Sequence, residues 1–226
     1  MVESGSAGTA ADAPAAAAAA RAVGVAAARA VGVAGVAGVV LAAGAGSRFG
    51  GPKALAVHPD GTPWLATAIR ALADAGCSPV LVVLGARVAE AEALLAALPE
   101  AADARVVRAD DWADGMSASL RAALRAAAAS DPPPVALAVV PVDVPDLDVA
   151  TVRRVLDAGP VDPTSLRQAV FHGRPGHPAL IGREHWGALA AEVRGDAGAR
   201  AYLSAHDARL VEAADLSTGA DVDRRA

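Results

Sequence analysis

An apolar run, Val36–Ala42, leads straight into Ala43-Gly44-Ala45-Gly46-Ser47-Arg48-Phe49-Gly50-Gly51-Pro52-Lys53. Glycines let a backbone take positive φ and come close to a ligand. Successive N–H groups can then line an anion-binding concavity. Arg48 and Lys53 add two full positive charges, so the loop fits a polyphosphate. Two common phosphate motifs are excluded. The dinucleotide fingerprint needs a third glycine opening a helix and an acid about 20 residues on. Here Phe49 takes the third position, Pro52 blocks a regular helix start, and Trp64 stands where the acid belongs. The Walker pattern fails because no Gly-Lys-Ser/Thr occurs. A plain turn carrying two charges is the competing reading.

Three more stretches carry reactive groups. Asp143 lies just beyond the apolar run Val135–Val140, in Pro141-Val142-Asp143-Val144-Pro145. A carboxylate at the end of a buried strand suits Mg²⁺, which takes one or two carboxylates plus substrate phosphates. Asp146 and Asp148 read as turn and cap residues. Gly115-Met116-Ser117 opens a helix, where unpaired N–H groups attract anions; Ser117 also reads as a simple cap. Gly173-Arg174-Pro175-Gly176-His177-Pro178 and Gly195-Asp196-Ala197-Gly198-Ala199-Arg200 are glycine-rich turns. Taken alone, His177 is an ordinary hydrogen-bonding histidine. His172 and His177 are too weakly patterned for zinc, and no serine is paired with a histidine and an acid for nucleophilic work.

The elements that must hold these groups alternate. Helical patterns at 64–75, 89–98, 116–129 and 149–156 separate apolar strands at 36–42, 80–84, 105–108 and 135–140. The continuous run Val80–Leu84 is typical of a strand buried on both faces. This order predicts an α/β fold, a three-layer, doubly wound, mostly parallel sheet of Rossmann-like type. Strands are expected at 168–171, 178–181 and 209–213, with helices at 184–193 and 197–206. This last third is expected as a lobe packed beside the sheet.

The chain has 226 residues, 54 % of them hydrophobic but only 3 % aromatic, so Val, Leu and Ala must build the core. A net charge of −5 gives no basic surface for nucleic acid. The single cysteine, Cys77, excludes an internal disulfide framework and fits a reducing cytoplasm. Residues 1–32 form a low-complexity Ala-rich segment. Glu3, Asp12, Arg21 and Arg29 interrupt it in ways that suit neither a signal peptide nor a membrane span. It is expected as a disordered tail ahead of one domain, 33–226.

L-A-A-G-A-G-S-R-F-G-G-P-K resembles the signature L-A-[AG]-G-x-[SG]-x-R-[MF]-G-x-x-K of the molybdenum cofactor nucleotidyltransferases. The resemblance extends over about residues 36–206. It implies that Arg48 and Lys53 neutralise the α-phosphate and the leaving pyrophosphate. It implies nucleotide contacts from Leu41, Ala42, Ala43, Gly44, Gly46 and Ser47, and from Gly115, Met116 and Ser117 in G-M-S-x-S-L-R. Asp143 matches the family's D-x-P magnesium site, although Val142 replaces the usual Gly or Cys. G-x-P-G-H-P-x-L-x-G followed by G-D-x-G-A-R resembles the cytidylyltransferase branch and implies acceptor contacts from His177 and Arg200. Asp196 is left as either a second metal ligand or a helix cap. Members reading L-A-A-G tend to use CTP. The resemblance therefore implies transfer of CMP to a molybdopterin-type acceptor with Mg²⁺, for enzymes of the xanthine dehydrogenase family. Another phosphorylated acceptor and a non-catalytic nucleotide-binding accessory protein are the alternatives. Relatives often end in D-[IV]-D-x-P-E-D and a helix; here Ala220-Asp221-Val222-Asp223-Arg224 implies that the helix is shortened or absent.

Overall fold

The computed structural model describes Met1 and residues 35–224. Apart from Met1, the expected tail lies outside the described residues. In chain order the elements are β1 (Val36–Ala42), α1 (Trp64–Asp74), β2 (Val80–Leu84), α2 (Val88–Ala96), β3 (Ala104–Arg108), α3 (Met116–Ala128) and β4 (Ala136–Pro141). There follow α4 (Val149–Leu156), β5 (Leu166–Phe171), β6 (Arg174–Gly182), α5 (Trp186–Glu192), α6 (Arg200–Ala205) and β7 (Arg209–Glu212). The strands form one sheet in the order β3-β2-β1-β4-β6-β5-β7. Only β6 runs against its neighbours, β4 and β5.

Period-two alternation divides the core between the two faces of this sheet. Val36, Val40, Ala136, Ala138 and Val140 face one layer, with α1, α2 and α4. Ala37, Val39, Leu137 and Val139 face the other, with α3, α5 and α6. Few aromatics are needed because the layers approach closely. A Cβ on Gly38 would lie 3.1 Å from Leu72 on α1.

The last third does not form a separate lobe. β6 pairs antiparallel with β4, from Ala136↔Gly182 to Val139↔Ala179, and β5 and β7 extend the same sheet. The reason lies in Ala179–Gly182, an uncharged run buried on both faces, which fits only inside a sheet. The expected helix at 184–193 opens as a 3₁₀ turn, Arg183–His185, before α5 begins.

One buried charge holds the join. The Arg167 guanidinium, on β5, donates to Val155 O at 3.0 Å, Leu156 O at 2.5 Å and Gly159 O at 2.8 Å, and also to Pro160 O. It thus satisfies carbonyls that the end of α4 leaves open. Arg167→Met would strand those acceptors. It is expected to cost about 3 kcal/mol in urea unfolding, the range for losing buried charged hydrogen bonds; a cost under about 0.5 kcal/mol would show that water replaces the guanidinium.

Candidate active site

The site forms where strand order reverses, at the carboxyl ends of β1 and β4, the usual ligand crevice of an open α/β sheet. Leu41 pairs with Pro141, and Val142 N–H donates to Leu41 O at 3.0 Å. Residues a hundred positions apart in sequence are therefore adjacent. The glycine loop closes on itself: Phe49, Gly50 and Gly51 N–H all donate to Gly46 O, at 2.9, 2.9 and 3.1 Å. The amides of 44–48 have no hydrogen-bond partner among the described residues, and they are the ones left for an anion. Phe49 is buried against Trp64, with ring centroids 5.3 Å apart, and anchors the loop to α1.

A 3₁₀ turn, Lys53–Leu55, follows Pro52 and presents the lysine. Lys53 Nζ donates to Asp143 Oδ2 at 2.7 Å and to Asp223 Oδ1 at 3.2 Å. Burial pulls the Lys53 ammonium down, but hydrogen bonds and charge from Asp143, then Asp223, outweigh it and hold its pKa above the ordinary 10.5. Lys53 is therefore a cation at neutral pH, shared between two carboxylates. Among the described residues no cluster of three or more His, Cys, Asp or Glu forms a ready metal cage. Two hard-oxygen carboxylates do suit Mg²⁺, which completes its shell with phosphate and water.

Three cavities surround this group. One of about 190 Å³ is lined by Leu41, Ala42, Ala43, Gly44, Gly46 and Ser119, among others. A second, about 270 Å³, holds Gln168, His177 and Arg200. A third, more open, of about 440 Å³, is flanked by Ser47, Arg48, Asp196 and Asp223. Asp143 borders the first two, Lys53 the first and third, and Met116 all three.

Residues 38–210 match the family described as the MobA-like NTP transferase domain. The chain belongs to that family. Nicotine blue oxidoreductase of Paenarthrobacter nicotinovorans is 38 % identical over 194 residues, 81 % of this chain and 90 % of that protein. Rv0371c of Mycobacterium tuberculosis superposes with a TM-score of 0.65 at 30 % identity, over 85 % of this chain and 94 % of that one. A manganese complex of Rv0371c superposes at 0.59 and 28 % identity, over 79 % and 86 %. A Methanothermobacter nucleotidyl transferase gives 0.67 at 26 %, over 84 % and 92 %. Among the described residues no helix is long and apolar enough to cross a membrane.

In this MobA-like transferase the expected site residues do not all face the cavities. Ser117 does not cap α3: Gly115 holds that position at φ 99°. Ser117 is buried, its N–H donating to Gly195 O at 2.9 Å and its hydroxyl accepting from Arg121 at 3.2 Å. A Cβ on Gly115 would lie 2.5 Å from the Gly195 carbonyl carbon. The glycines of the third motif thus support the second. Asp196 is no cap either; Ala199 holds the N-cap position of α6, without a side-chain cap. Asp148 does cap α4, accepting from Thr151 N–H at 2.8 Å.

Two residues that the sequence left aside enter the site. Ser119, two positions after Ser117, lines the smallest of the three cavities. Asp223 reaches Lys53 from 170 residues away. Its signal was the Asp221-Val222-Asp223 fragment of the D-[IV]-D pattern.

His177 lies on the wall of the second cavity, and its Nδ1 is enclosed with no hydrogen-bond partner among the described residues. Burial pushes its imidazole below the ordinary 6.5, against the Val139 backbone carbonyl and the charges of Asp143 and Asp221, which favour the protonated ring. The unfolded chain then takes up a proton at a pH where the folded chain does not. Stability is expected to fall as pH drops below about 6.5. Urea unfolding of wild type and His177→Gln at neutral and mildly acid pH checks this: the variant should lose part of the slope, and identical slopes would remove His177 as its source.

Proposed function

We propose that the protein transfers CMP from CTP to the phosphate of a molybdopterin-type acceptor with Mg²⁺, releasing pyrophosphate, in the cytoplasm. The observation that carries this is the meeting of two cavities at Asp143 and Met116, with Lys53 and Arg48 on the open side. Leu41–Ala43 and Ser119 would face the base. The reading of cytosine rests on Ala42-Ala43 in L-A-A-G. Arg48 and Lys53 would meet the triphosphate, and His177 and Arg200 the acceptor.

The acceptor phosphate oxygen attacks the α-phosphorus, and the bond to the bridging oxygen of pyrophosphate breaks. The attacking phosphate is already ionised, so no strong base is required. What the chain supplies is in-line positioning and positive charge where negative charge moves. Asp143 and Asp223 are the residues that would hold Mg²⁺, which when bound neutralises the phosphates. Lys53, which holds both carboxylates in the free protein, would turn to the leaving phosphates. The product would serve hydroxylases of the xanthine dehydrogenase family.

Pyrophosphate release with Mg²⁺, molybdopterin-loaded carrier and each NTP tests this. Release with CTP alone supports the reading. Another preferred nucleotide would overturn the base assignment, and another acceptor the molybdopterin assignment. A second reading, an oxidoreductase, is favoured by the relative of 38 % identity that bears that name. Thermal protection by NADH or NADPH but not by CTP, with reduction of nicotine blue, would favour it.

A further inference from the structure

The chain after β7 returns across the mouth of the site. Leu216 and Ser217 N–H both turn back to Ala213 O, at 3.0 and 3.3 Å. Ser217 Oγ accepts from Thr151 on α4 at 3.2 Å. The next residue is tied more strongly. Thr218 donates twice to one carboxylate oxygen, Asp146 Oδ2, through N–H at 2.7 Å and Oγ1 at 2.6 Å. Thr218 Oγ1 also accepts from Ala220 N–H at 3.2 Å. Gly219, at φ 62°, then lies so close to the Phe171 ring that no Cβ fits. Beyond it, Val222 N–H donates to Asp143 O at 2.9 Å, and Asp223 meets Lys53.

One short loop after β4 therefore grips this strap at both ends, Asp146 by its carboxylate and Asp143 by its backbone oxygen. We propose that the Asp146–Thr218 latch is a positioning device, which fixes the strap so that the Asp223 carboxylate stands opposite Asp143 across Lys53. Asp146 lies three residues past Asp143 but borders none of the three cavities. It acts through the strap and not on a ligand. Hydrogen bonds to a charged acceptor are shorter and stronger than neutral ones. A pair of them on an exposed segment is what holds the four following residues in place. This role of the latch rests on Asp143 and Asp223 being the metal ligands of the proposed function.

The test uses the full chain and the variants Asp146→Ala, Thr218→Val and Thr218→Ser. Two readouts are taken: amide hydrogen exchange without metal, and Mn²⁺ binding by titration calorimetry. Asp146→Ala and Thr218→Val are expected to speed exchange at residues 220–223 by roughly tenfold and to weaken Mn²⁺ binding by a similar factor. Exchange in β1 and β4 should not change. Thr218→Ser keeps the hydroxyl and should restore both values, which a loss of general packing would not explain. Unchanged exchange at 220–223 would overturn the latch. Faster exchange with wild-type Mn²⁺ affinity would overturn the positioning role. Asp143→Asn is the control: if it binds Mn²⁺ like wild type, the metal reading itself fails, and the positioning role with it.

Discussion

Exchange of Asp143 for asparagine is expected to slow pyrophosphate release by roughly a hundred- to a thousandfold, the range for losing one charge-stabilising group at a reacting centre. The fold should survive. The side chain is about one-fifth exposed, the replacement is isosteric, and the backbone oxygen that receives Val222 N–H remains. What disappears is the charge that would hold Mg²⁺ and that organises Lys53 in the free protein. Lys53→Met should cause a fall of the same order, because it would remove a partly buried cation from the side of the leaving phosphates. In the proposed reaction both groups would act on one triphosphate, so the double variant should fall well short of the product of the two losses. Steady-state release with saturating Mg²⁺ decides it. Activity within threefold of wild type for either single variant would remove that residue from the chemistry.

This expectation was within reach of the sequence for Lys53 and Asp143 but not for their third partner. The strands β1 and β2 are legible because Val36–Ala42 and Val80–Leu84 are unbroken apolar runs, which have few places to go but a sheet interior. Their loops follow from glycine and proline chemistry. β6 was harder. It begins with exposed Arg174 and half-buried, proline- and glycine-containing residues that do not read as a strand, and its pairing to β4 depends on contacts distant in sequence. That pairing is also what turned an expected lobe into an extension of the sheet. Arg167 is another case: a charged residue inside a strand looks solvent-facing until the open carbonyls of α4 come to meet it.

Within the site, the difficulty is orientation. Ser117 and Ser119 are two residues apart on a helix, about 200° around its axis, so only one of them can face the cavity. Periodicity alone does not say which. The choice is made by Gly195, whose carbonyl receives Ser117 N–H, and by Arg121, which takes its hydroxyl. Asp223 was hidden for another reason. A fragment of three residues carries little signal, and its place opposite Lys53 depends on the strap that Thr218 and Gly219 shape.

Gly46→Val is the second variant expected to have a large effect, and it tests the loop where Lys53 and Asp143 test the charges. Gly46 has φ 62°, the left-handed region that a β-branched residue avoids. Its missing side chain also leaves room for the Gly51 carbonyl, which a Cβ would overlap. Valine must therefore either flip residue 46 or push Gly51 away. In both cases the three amides that converge on Gly46 O lose their acceptor, and the loop that carries the unpaired amides of 44–48 loses its closure. Because Phe49 and Trp64 still pin the far side of the loop, the sheet is expected to remain folded while the anion site is lost. CTP affinity should fall by roughly a hundredfold, the consequence of about 3 kcal/mol of backbone strain and lost contacts. The readouts are nucleotide titration by calorimetry and, separately, urea unfolding. Weakened binding with nearly wild-type unfolding supports the loop as the phosphate cradle. Wild-type CTP affinity in a folded Gly46→Val protein would show that the triphosphate lies elsewhere.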